Sequence, residues 1–191
     1  MTRRIEDFTA EVPHWRPYVR PVPLDAATAE QRDALKVTPS NTKVSDYVLV
    51  LAHDPESLAA RTPLFNAIMY DRGGLSRAER EIGAVGASIV NRCIYCAAVH
   101  ASRYNQLTRT DEPMQRVFAA GPDAALPPRE AAILRFSTKL SACPPAAEAA
   151  DVAALEAAGL TPEETLDLVL STALFGWANR LMHTLGEPVE G

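Results

Sequence analysis

The feature that most limits what this chain can fold into is the spacing of its helix punctuation. Ser76-x-x-Glu79 and Thr161-x-x-Glu164 each place a hydroxyl three residues before a glutamate at the head of an apolar segment. That is the reciprocal pairing that satisfies free N–H groups at a helix start. Asp54-Pro55 supplies an N-cap followed by proline at the first helical position, and Pro127-Pro128 opens "REAAILRFSTKL" in a similar way. Gly121, Gly159 and Gly186 stand where C-terminal caps belong. Between these marks the apolar residues recur at helical rather than alternating spacing. Together they predict helices over about 26–36, 45–52, 55–71, 77–90, 94–107, 112–120, 128–142, 146–158 and 162–185, with Pro63 expected to break or kink the third. The expected fold class is all-α.

Ahead of the helices, residues 11–24, "EVPHWRPYVRPVPL", hold four prolines at short intervals, which rules out a regular helix. Residues 1–24 read as an extended arm, anchored by Trp15 and Tyr18 and laid over the surface or against a second subunit. The 191 residues, 47% hydrophobic and 23% charged, suit one globular domain. A formal charge of -5 with no Lys/Arg block argues against a nucleic-acid partner. An acidic pair interrupts the N-terminus where an export signal needs an apolar run, and "LVLSTALFGWAN" at 168–179 is too short to span a bilayer. A soluble, cytoplasmic protein with no membrane partner is expected.

The chain also echoes itself. "GLSRAEREIGAVGASIVNR" from Gly74 and "GLTPEETLDLVLSTALFGWANR" from Gly159 both enter an apolar helix through a capping box and end in Asn-Arg. A duplicated helical unit is one reading. Two well-capped amphipathic helices would also look alike. Only the first copy carries chemistry, since Leu166, Ala178, Leu181 and Leu185 of the second stand where the first has Glu81, Cys93, Cys96 and His100.

Three cysteines are too few for a disulfide scaffold, so thiols as reagents or ligands come into view. Cys143, before Pro144 and Pro145, has no near partner and reads as a small buried hydrophobe close to a helix end. Cys93 and Cys96 are different. If a helix starts near Asn91-Arg92, Cys93 occupies its N-cap or first turn, where free N–H groups and the helix dipole stabilise a thiolate. Cys96 shares its face, within disulfide reach. His100, four residues beyond Cys96 but roughly 10 Å along the axis from Cys93, serves Cys96. A helical hairpin about Asn91-Arg92 then brings Glu81, ten residues before the turn, level with the region of His100.

A carboxylate orienting a histidine that activates a cysteine is a coherent relay for thiol chemistry. The same residues give three zinc ligands, for which Glu81, Cys143 or His183 would have to complete a closed site. A purely structural cysteine pair is the third reading.

The pattern from Glu81 to His100, glutamate followed twelve residues later by Cys-x-x-Cys-x-x-x-His, resembles the signature of the alkylhydroperoxidase AhpD / carboxymuconolactone decarboxylase superfamily. The likeness reaches "LSRAERE" and, more loosely, "LPPREAAILRFSTKL" and "GLTPEETLDLVLSTALFGWANRLMHTLG", or roughly residues 45–188, in its peroxidase-related branch. It implies packed helical hairpins, a trimer or hexamer, and a peroxidase with no cofactor and no metal. By position it implies Cys96 as the peroxidatic thiol, Cys93 as the resolving thiol, and His100 with Glu81 as the proton relay. Tyr95 departs from the AhpD branch, which often has histidine there; a tyrosine can relay a proton, anchor a water or pack. The decarboxylase branch does not rely on a cysteine pair, so the retained dithiol favours redox chemistry.

The expected function is thiol-dependent reduction of a hydroperoxide, with an external dithiol as reductant. The alternatives are a dithiol–disulfide oxidoreductase or redox sensor that does not use peroxide, and a non-enzymatic zinc-stabilised helical module.

Overall fold

The computed structural model describes residues 2–35 and 43–191. Among them are nine α-helices: α1 (Ala29–Ala34), α2 (Asp46–Leu51), α3 (Pro55–Tyr70), α4 (Arg77–Val90), α5 (Ile94–Thr108), α6 (Glu112–Ala120), α7 (Pro128–Ser141), α8 (Ala149–Ala157) and α9 (Pro162–Leu185). Two short strands, β1 (His14–Pro17) and β2 (Gly186–Val189), complete the order. The fold is all-α, with this two-stranded sheet as a minor addition. No described helix is long and apolar enough to cross a membrane.

The expected caps form. Ser76 Oγ accepts from the Glu79 N–H at 3.3 Å while Glu79 Oε2 accepts from the Ser76 N–H at 3.1 Å, and Thr161 and Glu164 repeat the exchange at 3.2 and 2.8 Å. The two glutamates are joined by Arg129, whose Nε reaches Glu79 Oε1 at 2.5 Å and whose Nη2 reaches Glu164 Oε1 at 2.6 Å. One side chain of α7 thus ties together the starts of α4 and α9. Arg80 of α4 adds a bond to Asp167 Oδ2 of α9 at 2.9 Å.

Packing centres on α4, which lies against α5, α7 and α9 and buries every residue from Arg80 to Ser88. Two glycines permit this. A Cβ on Gly86 would stand 2.0 Å from Ser137 Oγ of α7, and one on Gly83 would press on Leu168 and Ser171 of α9. The main core gathers Ile82, Val85, Ile133, Leu134, Tyr104 and Leu168 around this helix. Burial of such side chains is the principal favourable term in holding the layers together.

Several expectations are corrected. Helix α1 begins at Ala29 because Thr28 and Gln31 form a capping box; the expected last residue, Lys36, lies outside the described residues. Helix α8 starts at Ala149, after a capping exchange between Glu148 and Asp151, rather than at residue 146. Pro63 does not break α3, which runs from Pro55 to Tyr70. Pro63 and Ala59, whose carbonyl loses its helical donor, are both exposed, so solvent can satisfy that group. Gly121 and Gly159 do adopt left-handed φ values of 61° and 86°, but Gly186 is extended and begins β2.

The proline-rich arm folds onto its own chain, where β1 pairs antiparallel with β2, Trp15 opposite Pro188. Pairing partners about 170 residues apart leave no local sequence trace. Trp15 anchors the arm as expected, buried with its Nε1 donating to Met182 O at 3.2 Å, whereas Tyr18 is 57% exposed and holds by hydrogen bonds alone, its N–H to Leu185 O at 2.8 Å and its side chain to Glu187. Gly186 is required beneath that indole, since a Cβ there would meet Trp15 carbons at 2.4 Å. Cys143 is exposed, not buried, because α7 ends at Ser141 and leaves it in the surface link to α8.

Candidate active site

Helix α4 stops at Asn91, Arg92 takes a left-handed φ of 51°, and the chain reverses directly into α5. Cys93 is the N-cap of α5, in extended conformation, with its N–H donating to Ser88 O at 2.9 Å. Cys96 lies one turn further along and both are free, buried thiols.

The antiparallel hairpin brings Glu81 to His100. Glu81 Oε2 accepts from His100 Nδ1 at 2.5 Å, which fixes the ring and, in the neutral imidazole, leaves Nε2 as the acceptor. The Arg77 guanidinium forms an ion pair with Glu81 Oε1 without aligning a hydrogen bond to it. Phe175 holds the imidazole from α9, with ring centroids 4.0 Å apart.

A cavity of about 490 Å³ opens on this group, lined by Glu81, Cys96 and His100 together with Tyr95, Tyr47 and Arg61. Cys93 does not line it. The two sulfurs are therefore distinct: one faces the space a substrate can enter and the other stands behind it.

Their acidities are distinct as well. The Cys96 thiol donates to the Cys93 sulfur, and this hydrogen bond, assisted by the Cys96 backbone N–H and the Asn179 amide, holds the Cys93 pKa below the ordinary thiol value despite burial. The same bond, with burial, drives the Cys96 pKa well above it. Of the two thiols, Cys93 is therefore the first to lose its proton and Cys96 the last. Tyr95 is pushed up mainly by burial and then by Cys96, and Tyr47 by burial to about 12, so both phenols stay protonated near neutrality.

Sequence reasoning placed Glu81, Cys93, Cys96 and His100 in one group, and the structure brings them together. It missed Asn179, buried on α9, which lies 3.1 Å from Ser88 Oγ and 3.2 Å from Asn91 Nδ2 and favours the thiolate on both cysteines. The repeated Asn-Arg, at 91–92 and 179–180, was its signal: the second copy does contribute to the site. Arg61 and Tyr47 carried no motif and arrive through tertiary packing. For zinc, neither further candidate joins the cysteines: Cys143 and His183 are exposed, and no cluster of three or more His, Cys, Asp or Glu that could hold a metal occurs among the described residues.

A helical-hairpin fold with a buried dithiol beside a Glu–His pair defines a recognisable class. Residues 55–139 match the carboxymuconolactone decarboxylase family. Among solved structures, a peroxidase-related protein with an alkylhydroperoxidase AhpD core, from Ralstonia eutropha JMP134, is 31% identical, with a TM-score of 0.77 over 89% of this chain and 90% of that one. A peroxidase-related protein from Silicibacter sp. TM1040 is 24% identical, with a TM-score of 0.75 over 91% of this chain and 94% of that one. The debrominase Bmp8 is 16% identical, with a TM-score of 0.77 over 92% and 94%; these last two likenesses speak to the fold alone. No curated protein matches. The chain belongs to the alkylhydroperoxidase AhpD / carboxymuconolactone decarboxylase superfamily.

Proposed function

We propose that the protein is a thiol-dependent peroxidase that reduces organic hydroperoxides. The observation that carries this reading is that Cys96 and the Glu81-bound His100 line one cavity while Cys93, the more acidic thiol of the pair, stands behind. His100 Nε2, one helical turn from Cys96, takes the Cys96 proton as the sulfur attacks the outer peroxide oxygen. The O–O bond breaks, Cys96 becomes a sulfenic acid, and the same proton passes to the leaving alkoxide to give the alcohol. The Cys93 thiolate then attacks the Cys96 sulfur, and the displaced hydroxide takes up a proton and leaves as water. An external dithiol reduces the resulting disulfide and is itself oxidised, so the sum is hydroperoxide plus dithiol to alcohol, water and disulfide. Glu81 holds the imidazole in the acceptor tautomer throughout.

Consumption of cumene hydroperoxide with dithiothreitol, compared between the intact protein and Cys96→Ser, tests this. Equal rates in the two proteins sink it.

A second reading, a dithiol–disulfide oxidoreductase or redox sensor, is favoured by the lowered pKa of the N-cap thiol Cys93, the arrangement of an exchange thiol. Reduction of protein disulfides without peroxide consumption selects it. A dithiol that must be kept reduced belongs in a reducing compartment, so we place the protein in the cytoplasm. The exposed residues Leu166, Leu170 and Trp177 lie along one face of α9, and we assign this stripe to contact with a second copy of the chain, in line with the oligomer implied by the resemblance. A monomer by light scattering at micromolar concentration overturns that assignment.

A further inference from the structure

Arg61 is the outlier among the arginines at the cavity. Arg77 is paired with Glu81, and Arg103 donates to Gln106 Oε1 at 2.9 Å. Nearby in the core, Arg80 has Asp167. Arg61 takes part in no ion pair with a carboxylate of the described residues. Its guanidinium carbon lies 3.8 Å from the Phe65 ring centroid and 5.7 Å from that of Tyr47, so aromatic faces hold the cation in place without neutralising it. Its Nε is buried with no hydrogen-bond partner, and the Tyr47 hydroxyl that its guanidinium does meet is neutral near pH 7 and supplies no counter-charge. Burial draws the Arg61 pKa down, and its contact with Tyr47 offsets only part of the lost hydration.

An isolated, partly desolvated cation is costly, and the cost is offset when an anion arrives. The cavity is biased toward one. Among the described residues, Lys43, Arg61, Arg77 and Arg103 line it against Glu81 as the one carboxylate, and Glu81 is already engaged by Arg77 and His100. Phe65, Met69, Phe175 and Met182 give the wall an apolar stretch, and the volume of about 490 Å³ is in the range that encloses a small organic ligand. A planar guanidinium stacked on Phe65 presents its fork to a planar, singly charged group, which fits a carboxylate. Cys96 lines the same space, so the anchor and the reacting sulfur address one molecule.

We propose that the cavity binds organic molecules bearing a carboxylate, with Arg61 as the anion anchor and the apolar wall around the carbon skeleton. Taken with the peroxidase reading, on which this substrate assignment rests, the preferred substrate is a carboxylated organic hydroperoxide whose peroxide group reaches Cys96.

The test compares the para-carboxylated analogue of cumene hydroperoxide with its methyl ester, using dithiothreitol as reductant, on the intact protein, Arg61→Gln and Arg61→Lys. The intact protein is expected to favour the acid by about tenfold or more in kcat/KM, the worth of one charge-assisted pair. Arg61→Gln brings the acid-to-ester ratio close to one, and Arg61→Lys keeps part of it. Equal use of acid and ester by the intact protein overturns the proposal without needing any variant, as does an unchanged ratio in Arg61→Gln. If no hydroperoxide is consumed, the peroxidase reading fails and calorimetry with the corresponding unreactive alcohols decides the binding proposal. Preference for the hydroxy acid over its methyl ester, lost in Arg61→Gln, sustains it; equal binding, or none, overturns it.

Discussion

Glu81 Oε2 and His100 Nδ1, nineteen residues apart in sequence, meet at 2.5 Å across the α4–α5 hairpin. The carboxylate is fully buried, so its charge is compensated only by the groups that touch it, His100 and Arg77. Glu81→Ala removes both pairings at once and is expected to cost about 3 kcal/mol or more in stability, read from urea denaturation. Glu81→Gln keeps the shape but removes the charge that stabilises an imidazolium, and should slow peroxide consumption by about a hundredfold. An unchanged rate in Glu81→Gln removes the glutamate from the relay.

The order of the cysteines gives a second prediction. After a single peroxide challenge, Cys93→Ser should carry a dimedone-trappable sulfenic acid on Cys96, because attack needs the cavity-facing thiol, speeded by His100, but no resolving partner. Cys96→Ser should carry little or none on Cys93. His100→Ala should slow oxidation of Cys96 yet still reach the disulfide with time. Mass spectrometry that finds Cys93 oxidised in Cys96→Ser at the rate of the intact protein reverses the two roles.

Tyr47 predicts the alkaline limit of stability. Its folded pKa of about 12 exceeds the value near 10 of an unfolded tyrosine, so between those values the unfolded chain has lost a proton that the folded one retains. Stability is then fully present below pH 10 and declines from there to pH 12, by roughly 2–3 kcal/mol. Melting curves of the intact protein and Tyr47→Phe over this window should diverge, the variant losing less. Parallel curves would show that other groups govern the decline.

Gly86 tests the packing that positions α4. A Cβ there collides with Ser137 Oγ at 2.0 Å and Ser137 Cβ at 2.8 Å, so Gly86→Ala forces α4 and α7 apart and should cost about 1–3 kcal/mol. Combining it with Ser137→Gly should restore part of the melting temperature. Additive losses in the double variant would place the strain elsewhere.

Most helix starts were legible because capping is local chemistry: Ser76, Thr161 and Asp54 meet their partners within three residues. The Glu81–Cys93–Cys96–His100 group was legible for a related reason, since one tight turn at Asn91-Arg92 converts spacing along the chain into proximity. What escaped was set by distant contacts. β1 pairs with a segment about 170 residues away, Cys143 is exposed by where α7 happens to end, and Arg61 and Asn179 reach the site only when α3 and α9 pack beside α4 and α5. Pro63 misled because the local rule against proline in a helix is relaxed on a solvent-facing surface.

The folded-back arm has one more effect. Trp15 lies in the same apolar cluster as Cys93 and Cys96, and the chain's only other tryptophan, Trp177, is 47% exposed on α9. The molecule therefore contains its own optical reporter: a shielded indole emits at shorter wavelength than a solvated one, and this one is packed beside the two thiols. Conversion of the dithiol to a disulfide should be visible as a change in the short-wavelength part of the emission, without any added dye.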